Sequence, residues 1–86
     1  MDLVYEGKIK YKTYGRIDVP IRVYKKRDSS KGEKFQGMIV VKKEEREEER
    51  PEGGETKSID DAIYFIRYGL NSNDLGEVEE IWRKNP

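Results

Sequence analysis

Apolar and charged side chains alternate along two stretches near the start of the chain. In residues 3–12, apolar side chains occupy most odd positions, and charged side chains occupy the even positions from Glu6 onwards. Residues 17–23 alternate in the same way, with Pro20 among the polar positions. A period of two predicts two strands, each with one buried face and one face in water. Because proline has no N–H group to donate, Pro20 predicts that the second strand lies at a sheet edge or carries a bulge.

A third strand is predicted over residues 35–43. Residues 38–41 form an unbroken apolar run, so this strand presents apolar side chains on both of its faces. Such a run is typical of a strand that is covered on both sides. We therefore expect the third strand to be the most buried one and to lie at the centre of the sheet, with the second strand at an edge.

Helical spacing replaces the alternation in the last third of the chain. Ser58 can cap a helix by accepting a first-turn N–H bond, and Asp60 and Asp61 favour the positive end of its dipole. The apolar stripe of this first helix consists of Ile59, Ala62, Ile63, Ile66 and Leu70. Further on, Asp74 and Glu77 resemble a capping box. They predict a second helix, whose apolar face would consist of Leu75, Val78, Ile81 and Trp82.

Aromatic residues of the first helix fall outside its apolar stripe. Because Ile63 and Ile66 would face the sheet, Phe65 and Tyr68 are expected on a flank of the helix. They would either pack against the second helix or leave an apolar patch for a partner. Packing between the two helices is the favoured interpretation.

These elements together predict one α+β domain over residues 1–86. Residues 1–43 would be β-rich and basic, residues 44–57 an acidic loop or an extension of an element, and residues 58–86 two helices. Strands followed by helices favour an antiparallel sheet of three to four strands, with the two C-terminal helices packed on one face.

The composition excludes several kinds of chemistry. The 86 residues include no cysteine and no histidine. Disulfides, thiolate catalysis, zinc sites built from Cys or His and a histidine general base are therefore excluded, and we expect a non-enzymatic protein. Charged residues make up 42% of the chain, and the abundance of Lys and Glu is typical of thermophile proteins. The chain has neither a signal-like start nor a long apolar run, which favours a cytoplasmic location without a membrane partner.

The two halves of the chain carry opposite charge. Residues 1–43 hold twelve Lys or Arg and five Asp or Glu, whereas residues 44–86 hold six and thirteen. Such asymmetry can mark an interaction surface, or the two halves can neutralise each other across the fold. We favour mutual neutralisation because the net charge of the protein is zero.

Seven glutamates stand within residues 44–55, among only two arginines. This segment could be a short helix, an extension of the third strand or a loop. Hard cations such as Ca²⁺ take six to eight oxygen ligands and would relieve the mutual repulsion of these carboxylates. The leading hypothesis is therefore a small protein that binds a divalent cation, with Ca²⁺ as the possible cofactor. Its expected ligands are Glu48, Glu49, Glu52, Glu55, Asp60 and Asp61.

Two alternatives use other surfaces. Lysines that project from one strand face could follow phosphates while a tyrosine stacks on a base, which would make the protein a nucleic-acid binder. The residues of this alternative are Lys8, Lys10, Lys12, Arg22, Tyr24, Lys25, Lys26 and Arg27. The neutral net charge argues against it. A third possibility is a protein–protein interaction or regulatory module, which would use the acidic run or the aromatic flank.

Overall fold

The computed structural model describes residues 1–12, 15, 17–28 and 32–85. Its strands and helix, in chain order, are β1 (Asp2–Tyr11), β2 (Ile17–Asp28), β3 (Gly32–Lys43), β4 (Arg46–Thr56), α1 (Ile59–Leu70) and β5 (Glu77–Arg83). The strands form one sheet in the order β4-β3-β2-β1-β5, and every neighbouring pair is antiparallel. The prediction of three to four strands and two helices is therefore wrong, since the described residues form five strands and one helix.

The segment predicted as a second helix is strand β5. Gly76 has φ 71°, a left-handed conformation that interrupts a helical path just before Glu77. The Asp74 carboxylate accepts the Gly76 N–H at 3.0 Å, so it closes a turn instead of starting a helix. Arg67 of α1 donates to the carbonyls of Leu75 and Gly76 at 2.9 and 2.7 Å. These bonds direct the chain along the free edge of β1. Val78 and Trp82 favour a strand there, since β-branched and aromatic residues are common in strands.

The acidic run forms most of strand β4. It is not a helix, a loop or a prolongation of β3, but a separate strand that follows a turn at Glu44 and Glu45. Glu44 has φ 56° in that turn. Glutamate is a good helix former, yet pairing with the edge of β3 determines the conformation here, from Lys43 opposite Arg46 to Phe35 opposite Thr56.

β2 occupies the centre of the sheet, so the predicted order of the strands is wrong. The ladder between β2 and β3 starts at Ile21, which lies opposite Ile39. Pro20 pairs with Lys8 of β1 and precedes the first residue of β2 that pairs with β3. A central strand therefore tolerates this proline because the ladder with β3 starts just after it.

The core lies between α1 and one face of the sheet. Its largest fully buried side chains are Tyr5, Ile9, Ile21, Val23 and Ile66. The predicted inward direction of Tyr5 and Ile9 is confirmed, and a register shift between Leu3 and Tyr5 also allows Val4 to be buried. The predicted helix start is confirmed as well, because the Ser58 hydroxyl accepts the Asp61 N–H at 3.0 Å.

Gly37 of β3 allows α1 to approach the sheet closely. A Cβ atom at position 37 would lie 2.5 Å from Cδ1 and 2.6 Å from Cγ1 of Ile66, closer than such atoms can approach. Ile66 is itself fully buried, so it has no free space into which it could move. The missing side chain at position 37 therefore fixes where the helix rests.

Replacing this glycine should destabilise the protein. We expect Gly37→Ala to lower the free energy of unfolding by about 1–3 kcal/mol, because the added methyl group overpacks the contact with Ile66. Chemical denaturation followed by circular dichroism measures this loss. Gly54→Ala is the matched control, since no heavy atom lies within 4 Å of its added Cβ atom. Equal stability of the two variants would contradict the proposed contact.

Candidate functional site

The face of the sheet that points away from α1 carries a network of ion pairs. We call it the open sheet face. Lys8 lies 3.9 Å from an Asp18 oxygen and 3.8 Å from a Glu79 oxygen, and Lys10 also pairs with Glu79. Lys12 follows at the end of β1, 3.4 Å from Glu77. Lysines of β1 are therefore neutralised by carboxylates of β5 and β2.

Arg22 lies at the centre of a second group on this face. Its guanidinium is 3.5 Å from Glu6, 3.4 Å from Glu47 and 3.5 Å from Glu49. The Tyr24 hydroxyl donates to the same Glu49 at 2.8 Å. Burial raises the pKa of the Tyr24 phenol, and the hydrogen bond to Glu49 and the charge of that carboxylate raise it further. Glutamates of the acidic run thus meet cations of the N-terminal half, as mutual neutralisation predicts.

The predicted nucleic-acid residues do not form one free basic surface. Lys8, Lys10, Lys12 and Arg22 are paired with carboxylates on or beside the open sheet face, and Tyr24 is bonded to Glu49. Lys25 pairs with Glu33 at 2.8 Å. Lys26 and Arg27 lie at the end of β2, opposite Lys34 and Glu33. A phosphate would have to compete with these carboxylates, so nucleic-acid binding stays a prediction that the arrangement does not favour.

The predicted calcium ligands are distributed over separate places. Glu48 and Glu49 are neighbours in a strand and so point to opposite faces, with Glu48 lying 3.7 Å from Arg50. Asp60 is 2.8 Å from Arg83. Glu52 and Glu55 flank an irregularity in β4, and Asp61 lies in the first turn of α1. Among the described residues, no group of three or more side chains is placed to hold a metal ion. Calcium binding stays a prediction without support from this geometry.

The outward side of α1 exposes three aromatic rings, which we call the aromatic helix face. Tyr64, Phe65 and Tyr68 are 47%, 46% and 54% exposed. The ring centroids of Tyr64 and Phe65 are 5.7 Å apart in an edge arrangement, and those of Tyr64 and Tyr68 are 6.2 Å apart and stacked. The favoured expectation, that a second helix covers this flank, is wrong because residues 77–83 form β5. The alternative, an exposed apolar patch, is what the structure contains.

Close packing on β4 places acidic groups beside the aromatic helix face. Gly53 has φ 74°, and a Cβ atom there would lie 2.8 Å from Cβ of Phe65. The neighbouring Glu52 extends its carboxylate towards Gly69 at the other end of the helix. Asp61 stands one helical turn before Tyr64 and Phe65. We call Glu52 and Asp61 the acidic rim, and neither forms an ion pair within the described part of the chain.

Sequence reasoning could locate these aromatic residues but not their exposure. Tyr64 and Tyr68 are four positions apart, and Ala62, Ile63 and Ile66 define the opposite side of the helix. The helical periodicity therefore predicts on which side of α1 the rings lie. Whether another element covers the rings depends on the conformation of residues 77–83. The apolar residues of this segment have helical spacing and therefore predict a helix, whereas the segment is a strand.

No family model matches the chain, and neither a curated protein nor a solved structure is significantly similar to it. Among the described residues, no helix has the length and apolar character needed to cross a lipid bilayer. The geometry of the surfaces is thus the basis for assigning a function.

The bond between Tyr24 and Glu49 can be tested through the phenol. We expect Glu49→Gln to lower the pKa of Tyr24, because the substitution removes the negative charge that opposes phenolate formation. Titration of the Tyr24 ring ¹³C resonances measures this pKa. The matched control is Glu48→Gln, which changes the neighbouring carboxylate on the opposite face. A Tyr24 pKa that stays the same in Glu49→Gln would show that this contact does not form.

Proposed function

We propose that this protein is a binding module that docks a basic amphipathic helix of another protein on its aromatic helix face. The observation that carries the proposal is the cluster of three aromatic rings, each about half exposed, on the outward side of α1. The function would require no catalysis and no cofactor.

The apolar character of α1 supports the presence of a partner. A helix on the surface of a globular protein normally buries one apolar side and exposes a charged one. α1 buries Ala62, Ile63 and Ile66 against the sheet and has Tyr64, Phe65 and Tyr68 on its outward side. Clustered aromatic residues on a surface are typical of interaction sites, because each ring buries a large apolar area and loses little conformational entropy.

The acidic rim defines the charge of the partner. Glu52 and Asp61 border the rings and have no ion pair with the described residues. A partner with Lys or Arg next to its apolar side chains would neutralise both carboxylates and could place cations over the tyrosine rings. A partner with acidic flanks would be repelled, so the rim selects for basic segments.

The shape of the face favours a helix as the partner. The rings lie on a convex helical surface, where positions three and four apart form a row that another helix can pack against. The face has the apolar composition that led us to expect packing against a second helix of this chain. A helix of another protein would complete the same arrangement. Calcium binding needs carboxylates that converge and nucleic-acid binding needs uncompensated cations, whereas this mode of binding needs neither.

A designed peptide can test the proposal directly. The probe is a peptide of about 14 residues, built from leucine and lysine at helical spacing, because a shorter helix is marginal in water. We expect saturable ¹⁵N–¹H shift changes at Tyr64, Phe65 and Tyr68 and at the two residues of the acidic rim. Tyr68→Ala should weaken binding by about tenfold, as expected for an aromatic contact at the centre of an interface.

Two controls make this test decisive. Ile81→Ala removes another exposed apolar side chain, 62% exposed on β5, and should leave the affinity unchanged. A leucine–glutamate peptide of the same length should not bind, because its charge matches that of the rim. Equal affinity for both peptides, or equal weakening by Tyr68→Ala and Ile81→Ala, would refute recognition by the aromatic helix face. Thermal unfolding verifies that both variants are folded.

A further inference from the structure

A second surface with ligand-binding character lies next to the C-terminal residues. A cleft of about 500 Å³ opens between the residues after β5 and the start of α1. Its apolar lining consists of Val4, Phe35 and Ile59, and its cationic lining includes Lys25, Lys57 and Lys84. We call it the tail cleft. It contains no residue of the aromatic helix face, so it is independent of the function proposed above.

One wall of the tail cleft is held in place by Arg83. The guanidinium binds Asp60 of α1 at 2.8 Å and Glu80 of β5 at 2.7 Å, and it lies 5.3 Å from the centroid of the Tyr5 ring. The hydrogen bonds to Asp60 and Glu80 raise the pKa of Arg83, a side chain that is charged at physiological pH in any case. The Lys84 N–H donates to the Val4 carbonyl at 2.9 Å and extends the pairing of β5 beyond its last residue. The cleft is therefore formed before any ligand arrives.

The charges around the tail cleft do not cancel. Arg83 is compensated by Asp60, and Lys25 is compensated by Glu33 at 2.8 Å. The charges of Lys57 and Lys84 are not compensated, since neither lysine forms an ion pair with any described residue. The Ser58 hydroxyl already accepts the Asp61 N–H, so the first turn of α1 is capped by the protein itself. The excess of positive charge comes from two lysines beside an apolar floor.

We propose that the tail cleft binds a small amphipathic anion, a molecule with a flat apolar body and one anionic head group. The volume of the cleft lies within the range of small-molecule sites, which combine mostly apolar walls with a few polar groups that fix orientation. The apolar body would cover Val4, Phe35 and Ile59. The head group, a carboxylate or a phosphate, would lie between Lys57 and Lys84, which form no ion pair with any described residue.

The test uses 2-naphthoate as the probe and follows ¹⁵N–¹H shifts of the full chain. We expect saturable shift changes at Val4, Phe35, Ile59 and residues 83–85. The double variant Lys57→Gln with Lys84→Gln should weaken binding by about tenfold, the loss expected when charge-assisted hydrogen bonds are removed. The matched control is Lys42→Gln with Lys43→Gln, which removes two exposed lysines at the far end of β3 and should leave the affinity unchanged.

Two related probes identify the role of the head group. 2-Naphthyl phosphate should bind at the same residues and more tightly than naphthoate, because its head group carries more negative charge. 2-Naphthalenemethanol has the same apolar body without charge and should bind far more weakly. Equal affinity for the alcohol, shift changes outside the cleft, or equal weakening by the two double variants would each overturn the proposal.

Discussion

The contact between Ile66 of α1 and the backbone of Gly37 in β3 determines where the helix lies on the sheet. It lets the only helix of the described residues rest directly on β3 and, through Gly53, against β4. One helix cannot cover a sheet of five strands, so its position decides which surfaces stay open. The outward rings of α1 and the tail cleft both result from this placement. Both proposed sites are thus consequences of a packing contact that involves none of their residues.

Local signals predicted β1, β2 and the start of α1, but not the number or the order of the strands. The alternation around Ile9 and Ile21 identified β1 and β2, because a half-buried strand imposes a period of two on its own residues. The start of α1 was equally readable, since Ser58 and the first-turn aspartates satisfy and complement the helix end locally. In each case, the residues from which the strand or helix start is predicted are the same residues that form it.

The conformations that the sequence did not predict are determined by pairing with neighbouring strands of the sheet. Residues 77–83 have helical spacing, but the free edge of β1 and the left-handed Gly76 make them a strand. The acidic run became β4 because β3 offered it an edge, and its alternating faces then separated the carboxylates that a calcium site would need. The opposite charge of the two halves of the chain predicted that cations of one half would pair with carboxylates of the other. Arg22 with Glu47 and Glu49 shows that part of this charge is neutralised between the two halves within the sheet.

The position of β5 beside β1 has a consequence for how the chain reaches its native state. β5 pairs with β1, so residues 77–83 must reach residues 2–11 before the described sheet is complete. Closing so long a loop is entropically costly, and folds rich in such distant pairings form slowly. During synthesis, the backbone of β1 therefore keeps one edge without its native partner until residues 77–83 have left the ribosome. Once β5 is paired, Arg83 joins it to Asp60 of α1 and to the Tyr5 ring of β1.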